Sequence, residues 1–239
     1  MATTLLFAIG IDEVRELFGA TPDIAARLRG IASSQPAPVP APRQHAHASH
    51  HRQRLADTGP APLNASELEA LIAGHYVEPD RLASAWQVVV SWLSALCWDH
   101  CHIAASSEQL SAWDFQLAVA GLPSRYSLAQ LWGRDAQIPL RPAPGMHIGY
   151  VRGHHVLAGW GEMAPRLTAL DSQTVAALAP LTGLLGRFGQ WGSVARAHGR
   201  PEPDLFTVGW QDGPGRVQRS ASSVPQAPAT SLVMTPWAK

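Results

Sequence analysis

The chain predicts an α+β fold: one predominantly helical domain in which a small two-stranded β element joins the N- and C-terminal parts. Two runs rich in β-branched and aromatic residues, Thr3–Ile9 (TTLLFAI) and Asp204–Trp210 (DLFTVGW), stand near the ends and have strand length. Between them, apolar residues recur at three- and four-residue intervals behind helix-start signals. Hydrophobic residues make up 46% of 239 and charged residues 15%, which is enough apolar surface for a real core.

The first strand is followed by helical signals. Asp12 opens a turn with Val14, Leu17 and Phe18 on one face, and Thr21-Pro22 supplies the N-cap and first position of a second helix with Ile24, Leu28 and Ile31 inward. Residues 33–63 break the pattern. Proline falls every second or third residue and large apolar groups are scarce, so burial cannot offset ordering entropy and a disordered insert is expected. The domain is then discontinuous, 1–32 and 64–212.

Order resumes at Asn64, which with Glu67 forms a capping box for a helix carrying Leu68, Leu71 and Ile72. Asp80 is expected to cap the longest helix, whose stripe is Leu82, Trp86, Val89, Val90, Leu93, Leu96 and Cys97. Ser106 or Ser107 starts the next, and Ser127 a short one through Leu131 and Trp132. Pro139, Pro142 and Pro144 mark an irregular crossing. His147–Met163 reads as helix, against its four glycines, and Asp171 caps a helix running to about His198. The Pro/Ser/Ala/Gln-rich residues 213–239 are expected to form a disordered tail.

Charge and cysteine usage narrow the function classes. With 18 basic and 18 acidic side chains, the chain has no global field to gather nucleic acid. No run approaches the ~20 apolar residues of a membrane span, and the N-terminus lacks the basic region and cleavage site of a secretory signal. Two cysteines make no disulfide framework. A cytoplasmic protein is expected.

Potential chemistry concentrates in Cys97-Trp98-Asp99-His100-Cys101-His102. On a helix, Cys97, His100 and Cys101 share one face, because offsets of three and four are neighbours. Thiolates and an imidazole on one face suit zinc, with a fourth ligand from His75, His147, His154 or His155, and His155 completes the candidate set. Against this, buried cysteines pack as small hydrophobes, and Cys-x3-Cys without a second pair matches no structural zinc knuckle. The cluster-binding pattern Cys-x3-Cys-x2-Cys fails because Ala104 holds its third position. Adjacent Asp99 and His100 point roughly 100° apart on a helix, which disfavours a facial iron site.

Other motifs are equally incomplete. His155 and Glu162 lie two turns apart if their segment is helical, but no third group joins them. Gly183, Gly186, Gly189 and Gly192 recur without the strand or Lys-Ser/Thr of a phosphate loop. His45, His47, His50 and His51 cluster in the insert, where protonation makes it more cationic in acid. Neither Gly-x-Ser-x-Gly nor His-Glu-x-x-His occurs.

Nine tryptophans are many for this length, and the apolar stripe accommodates Trp86 but not Trp92 or Trp98. Trp92, Trp98, Trp113 and Trp132 are therefore candidates for a partner surface or an aromatic-lined cleft, with core filling as the alternative. Three segments together resemble an uncharacterised bacterial family of unknown function: IDEVRELFG (Ile11–Gly19), the cysteine-bearing central helix, and PLRPAPGMHIGYV (Pro139–Val151). The resemblance covers about a third of the chain; it implies a small α+β domain and brings no activity.

The expected function is that of a non-enzymatic cytoplasmic binding or regulatory protein, of inhibitor or immunity type, acting on another protein through an aromatic surface and using no cofactor. The alternative is a zinc-dependent enzyme or sensor built on Cys97, His100, Cys101 and His155. A small-molecule binder using Trp-lined helices is a third reading.

Overall fold

Four strands, not two, form one antiparallel sheet: β1 (Ala2–Ile9), β2 (Asp99–Ala105), β3 (Met146–Val151) and β4 (Asp204–Trp210), in the order β2-β1-β4-β3. The computed structural model describes residues 2–34 and 60–210. The expected pairing of the terminal strands is present, with Leu6 opposite Thr207 and Ile9 opposite Asp204. Around them run eight α-helices among the described residues: α1 (Ile11–Arg15), α2 (Pro22–Ser33), α3 (Ala65–Ile72), α4 (Leu82–Leu96), α5 (Ser107–Val119), α6 (Gly153–Met163), α7 (Ser172–Leu185) and α8 (Phe188–Ala197).

The pleat sorts these helices into two layers. Phe7, Ile9, Phe206 and Val208 face a cluster holding Val14, Leu28, Leu71, Trp86 and Leu93, contributed by α1 to α4. Leu6, Ala8 and Leu205 face the other way, onto Leu117, Val156, Leu181 and Phe188 of α5 to α8. The sheet is thus sandwiched between helical layers. Its central strands β1 and β4 are buried on both faces, which is why each reads as a near-continuous apolar run.

The two strands missing from the sequence reading are the sheet edges. Residues 97–102 do not continue α4: Cys97 is extended (φ −68°, ψ 163°) and closes the helix, and β2 begins at Asp99. His147–Met163 divides into β3 and α6 on either side of Arg152. The helix expected from Asp171 to His198 breaks after Leu185 into α7 and α8, within the glycine-rich run. Asp171 does cap α7, accepting the Thr174 N–H at 2.8 Å, and the boxes Asn64/Glu67 and Ser106/Gln109 cap α3 and α5. Asp80 does not cap α4; it lies in a 3-10 turn (Pro79–Arg81) that leads into it.

The expected insert and tail fall largely on 35–59 and 211–239, outside the described residues. At the insert's end, the carbonyls of Ala61 and Pro62 accept bonds from Arg81, and Ser84 Oγ also donates to Ala61. Arg81 in turn holds Glu67 at 2.7 Å, so the start of α3 is tied to the start of α4.

Glycine is required where α6 leaves the sheet, because a Cβ at Gly153 would collide with the carbonyl oxygen of Pro203. Gly161, on the same helix, has open space at that position. Gly153→Ala is expected to lower urea stability by about 2 kcal/mol, and Gly161→Ala to raise it by about 0.5–1 kcal/mol. Equal effects of the two substitutions would contradict the packing described.

Candidate functional site

Polar groups gather at the end of the sheet where β1 and β3 finish and β4 begins. Asp204 opens β4 and is only 6% exposed. Its Oδ2 accepts the Ile11 N–H at 3.0 Å and its Oδ1 the Gly153 N–H at 2.8 Å. Arg152 Nη1 lies 3.2 Å from Oδ2. These donors start α1 and α6, so one carboxylate serves the N-termini of helices on opposite faces of the sheet. Beside it, buried Glu13 accepts the Gly10 N–H at 3.1 Å and pairs with Arg200 at 2.7 Å. Arg200 also donates to the Leu96 carbonyl at 2.8 Å and lies over the Trp98 ring at 4.6 Å.

A cavity of about 290 Å³ opens here between Asp12, Arg152, His154 and Glu202. Its lining holds no hydroxyl, thiol or amine nucleophile, and the Asp204 oxygens at its floor already accept donors. Asp204 at this cavity fixes the backbone at the starts of α1 and α6.

The Cys/His segment lies next to this network, but its strand geometry undoes the shared helical face. Cys97 packs against the cluster under α1–α4, whereas Cys101, on β2, packs against the opposite cluster. His100 faces the Cys97 side: its Nδ1 is 3.8 Å from Cys97 Sγ, and its ring stacks on Phe7 with centroids 5.9 Å apart. Asp99 and His100, adjacent on a strand, project to opposite faces; Asp99 pairs with Arg187 of the α5–α8 layer.

The fourth-ligand candidates are elsewhere. His155, on α6, bonds the Arg125 carbonyl at 3.0 Å and packs on Tyr126. His147 is on β3, three strand spacings or about 14 Å across the sheet from β2. Its ring lies against Gly209 of β4, where any Cβ would collide with it, and burial lowers its pKa. Glu162 is paired with Arg166 at 2.9 Å. Among the described residues, no group of three or more His, Cys, Asp or Glu is placed to hold a metal ion.

The tryptophans divide differently from the sequence reading. Trp92 is fully buried and donates to the Leu28 carbonyl at 3.0 Å, because α2 covers the flank of α4 that the periodic stripe leaves bare. Trp113 is buried in the α5–α8 core. Trp98 is half-buried beneath Arg200, with its Nε1 unpartnered. The side chain of Trp132 lies outside the described residues. Trp92 and Trp113 are therefore core, not surface.

The outward apolar surface is on α5 instead. Phe115 and Val119 are 70% and 72% exposed, with exposed Ala112 and Ala118 beside them, while Trp113 and Leu117 point inward. The spacing 112, 115, 119 was visible in the sequence, but in α5 (SEQLSAWDFQLAV) polar and apolar residues are interspersed around the helix, so periodicity alone does not say which side meets the core. Val175, 37% exposed, is one turn into α7, whose capping Asp171 is hydrogen-bonded by Gln116 of α5.

No protein-family model, curated protein or solved structure gives a significant match to this chain. Among the described residues, no helix is long and apolar enough to cross a membrane.

Both thiols are free. Burial, reinforced by the nearby Asp99 charge, pushes each of them up to about 12. The thiolate population at pH 8 is then about a thousandfold below that of an exposed cysteine. Iodoacetamide at pH 8 is expected to alkylate the native protein at least ~100-fold more slowly than the urea-unfolded chain. Rates within tenfold of one another would contradict the buried-filler role.

Proposed function

We propose that this chain is a non-enzymatic protein-binding module, a cytoplasmic regulator of inhibitor or immunity type that docks an apolar surface of its partner onto the outward face of α5. The observation that carries this reading is the exposure of Phe115 and Val119 one helical turn apart. Burying a phenylalanine or valine is worth about 1.5–3 kcal/mol each, so leaving both in water forgoes a substantial gain that a partner can recover.

Two features support the non-enzymatic part. The carboxylates Asp204 and Glu13 at the sheet end are both engaged by backbone N–H groups and arginines. The two cysteines are held far from nucleophilic form. Free thiols agree with a reducing compartment, and the balanced net charge with a partner that is not nucleic acid. The likeness of Ile11–Gly19 and Pro139–Val151 to an uncharacterised bacterial family adds a fold expectation and no activity.

The test is photo-crosslinking in cells from a benzoyl-phenylalanine placed at position 115 of the full chain. One predominant adduct is expected, and Val119→Asp is expected to abolish it while shifting the thermal midpoint by less than about 2 °C, since position 119 is exposed. The identified partner, once purified, should bind the Val119→Asp protein at least tenfold more weakly. Absence of an adduct, or adducts unchanged by Val119→Asp, would overturn the reading.

A further inference from the structure

We propose that the cleft along the outer edge of β3 is a groove for an extended acidic peptide, which would add to the sheet as a fifth strand. This inference is independent of the α5 surface. Among the described residues β3 is an edge strand. The Tyr150 N–H donates to the Arg134 carbonyl at 3.1 Å and the Met146 N–H to the Ala143 carbonyl at 2.9 Å, so both residues turn their main-chain groups away from β4. Antiparallel pairing alternates, which puts the N–H and C=O of Ile148, midway between them, on the same outward side. No described residue bonds these two groups. An unpaired strand edge of this kind is a template for another chain.

The protein itself begins such a strand and then abandons it. Arg134 bridges to Tyr150 in antiparallel fashion. The following residues stand off from β3, leaving a cleft of about 510 Å³ beside Met146–Ile148. Ile138 and Leu140 line its far side and Met146 and Ile148 its near side, so alternate side chains of a bound strand meet apolar walls. Its volume lies within the range common to ligand-binding clefts.

Charge selects the occupant. Arg134 and Arg141 both line the cleft and are exposed, and neither has a carboxylate partner among the described residues; Arg141 lies only over the Tyr76 ring, at 5.8 Å. The single acid there, Asp135, already accepts the Gln137 N–H at 3.0 Å. The chain's own candidates carry the wrong sign. Residues 211–239 leave β4 from Trp210, which pairs with Met146, yet contain three cations and one acid. Residues 35–59 likewise contain three arginines and one aspartate. A separate peptide with glutamate or aspartate side chains complements the two arginines, and its main chain complements Ile148.

The probe is a fluorescein-labelled Val-Glu-Val-Glu-Val-Glu amide titrated with the full chain and read by fluorescence anisotropy. Saturable binding is expected, with little from the Val-Lys counterpart. Arg134→Glu with Arg141→Glu should weaken it at least tenfold, and N-methylation of alternate peptide amides should do the same, because that removes main-chain pairing without altering charge. The arginines are exposed, and the N-methylation arm needs no variant protein, so loss of fold cannot mimic the result. Val119→Asp should bind the probe as the unaltered chain does, which separates this groove from the α5 surface. No saturation by about 1 mM peptide, indifference to N-methylation, or indifference to charge reversal would each overturn the proposal.

Discussion

One buried carboxylate joins the two helical layers. Asp204 stands at the first position of β4, and its two oxygens take the leading N–H groups of α1 on one face of the sheet and α6 on the other. Unsatisfied, those buried donors would each cost about 1–3 kcal/mol. The neighbouring geometry follows from their placement. Because α1 enters where it does, Glu13 reaches Arg200 and ties the end of α4 to the return into β4. Because α6 enters where it does, Gly153 is pressed against Pro203 without room for a side chain. Of the ionisable groups at this sheet end, Asp204, Glu13 and Arg200 hold backbone groups directly.

The central strands were legible because they are covered on both sides. TTLLFAI and DLFTVGW need no polar alternation, and their antiparallel partnership follows from the chain ends meeting. Edge strands give a weaker signal. β2 (DHCHIAA) has one large β-branched residue and directly follows the longest of the described helices, so the helical period runs on through the cysteines. That single misreading created the apparent convergence of Cys97, His100 and Cys101, which vanishes once alternate residues face opposite layers. In β3 (MHIGYV), Ile148, Tyr150 and Val151 carried strand signal, diluted by a glycine and by the helix that begins two residues later. The capped helix starts at Asn64 and Asp171 are legible in the sequence, and of the alternatives Ser106 and Ser107 it is Ser106 that caps α5, since capping is local chemistry. Trp92 was misplaced for the opposite reason: its cover comes from α2, far away in sequence.

These geometries bear on function through which groups are buried and which stay exposed. The thiols sit on opposite sides of the sheet, and the most conspicuous indoles fill the core. Among the described residues, an apolar face of α5 and an unpaired strand position beside β3 are left exposed. Neither was evident in the sequence, because each depends on which side of an element the rest of the chain leaves uncovered.

The role of Asp204 as the joint between layers is tested most directly by hydrogen exchange at the Ile11 and Gly153 amides in Asp204→Ala, alongside urea unfolding. The account predicts that both amides exchange at least tenfold faster, together, and that stability falls by about 3 kcal/mol. Acceleration at only one of the two amides, or a stability loss below about 0.5 kcal/mol, would contradict it.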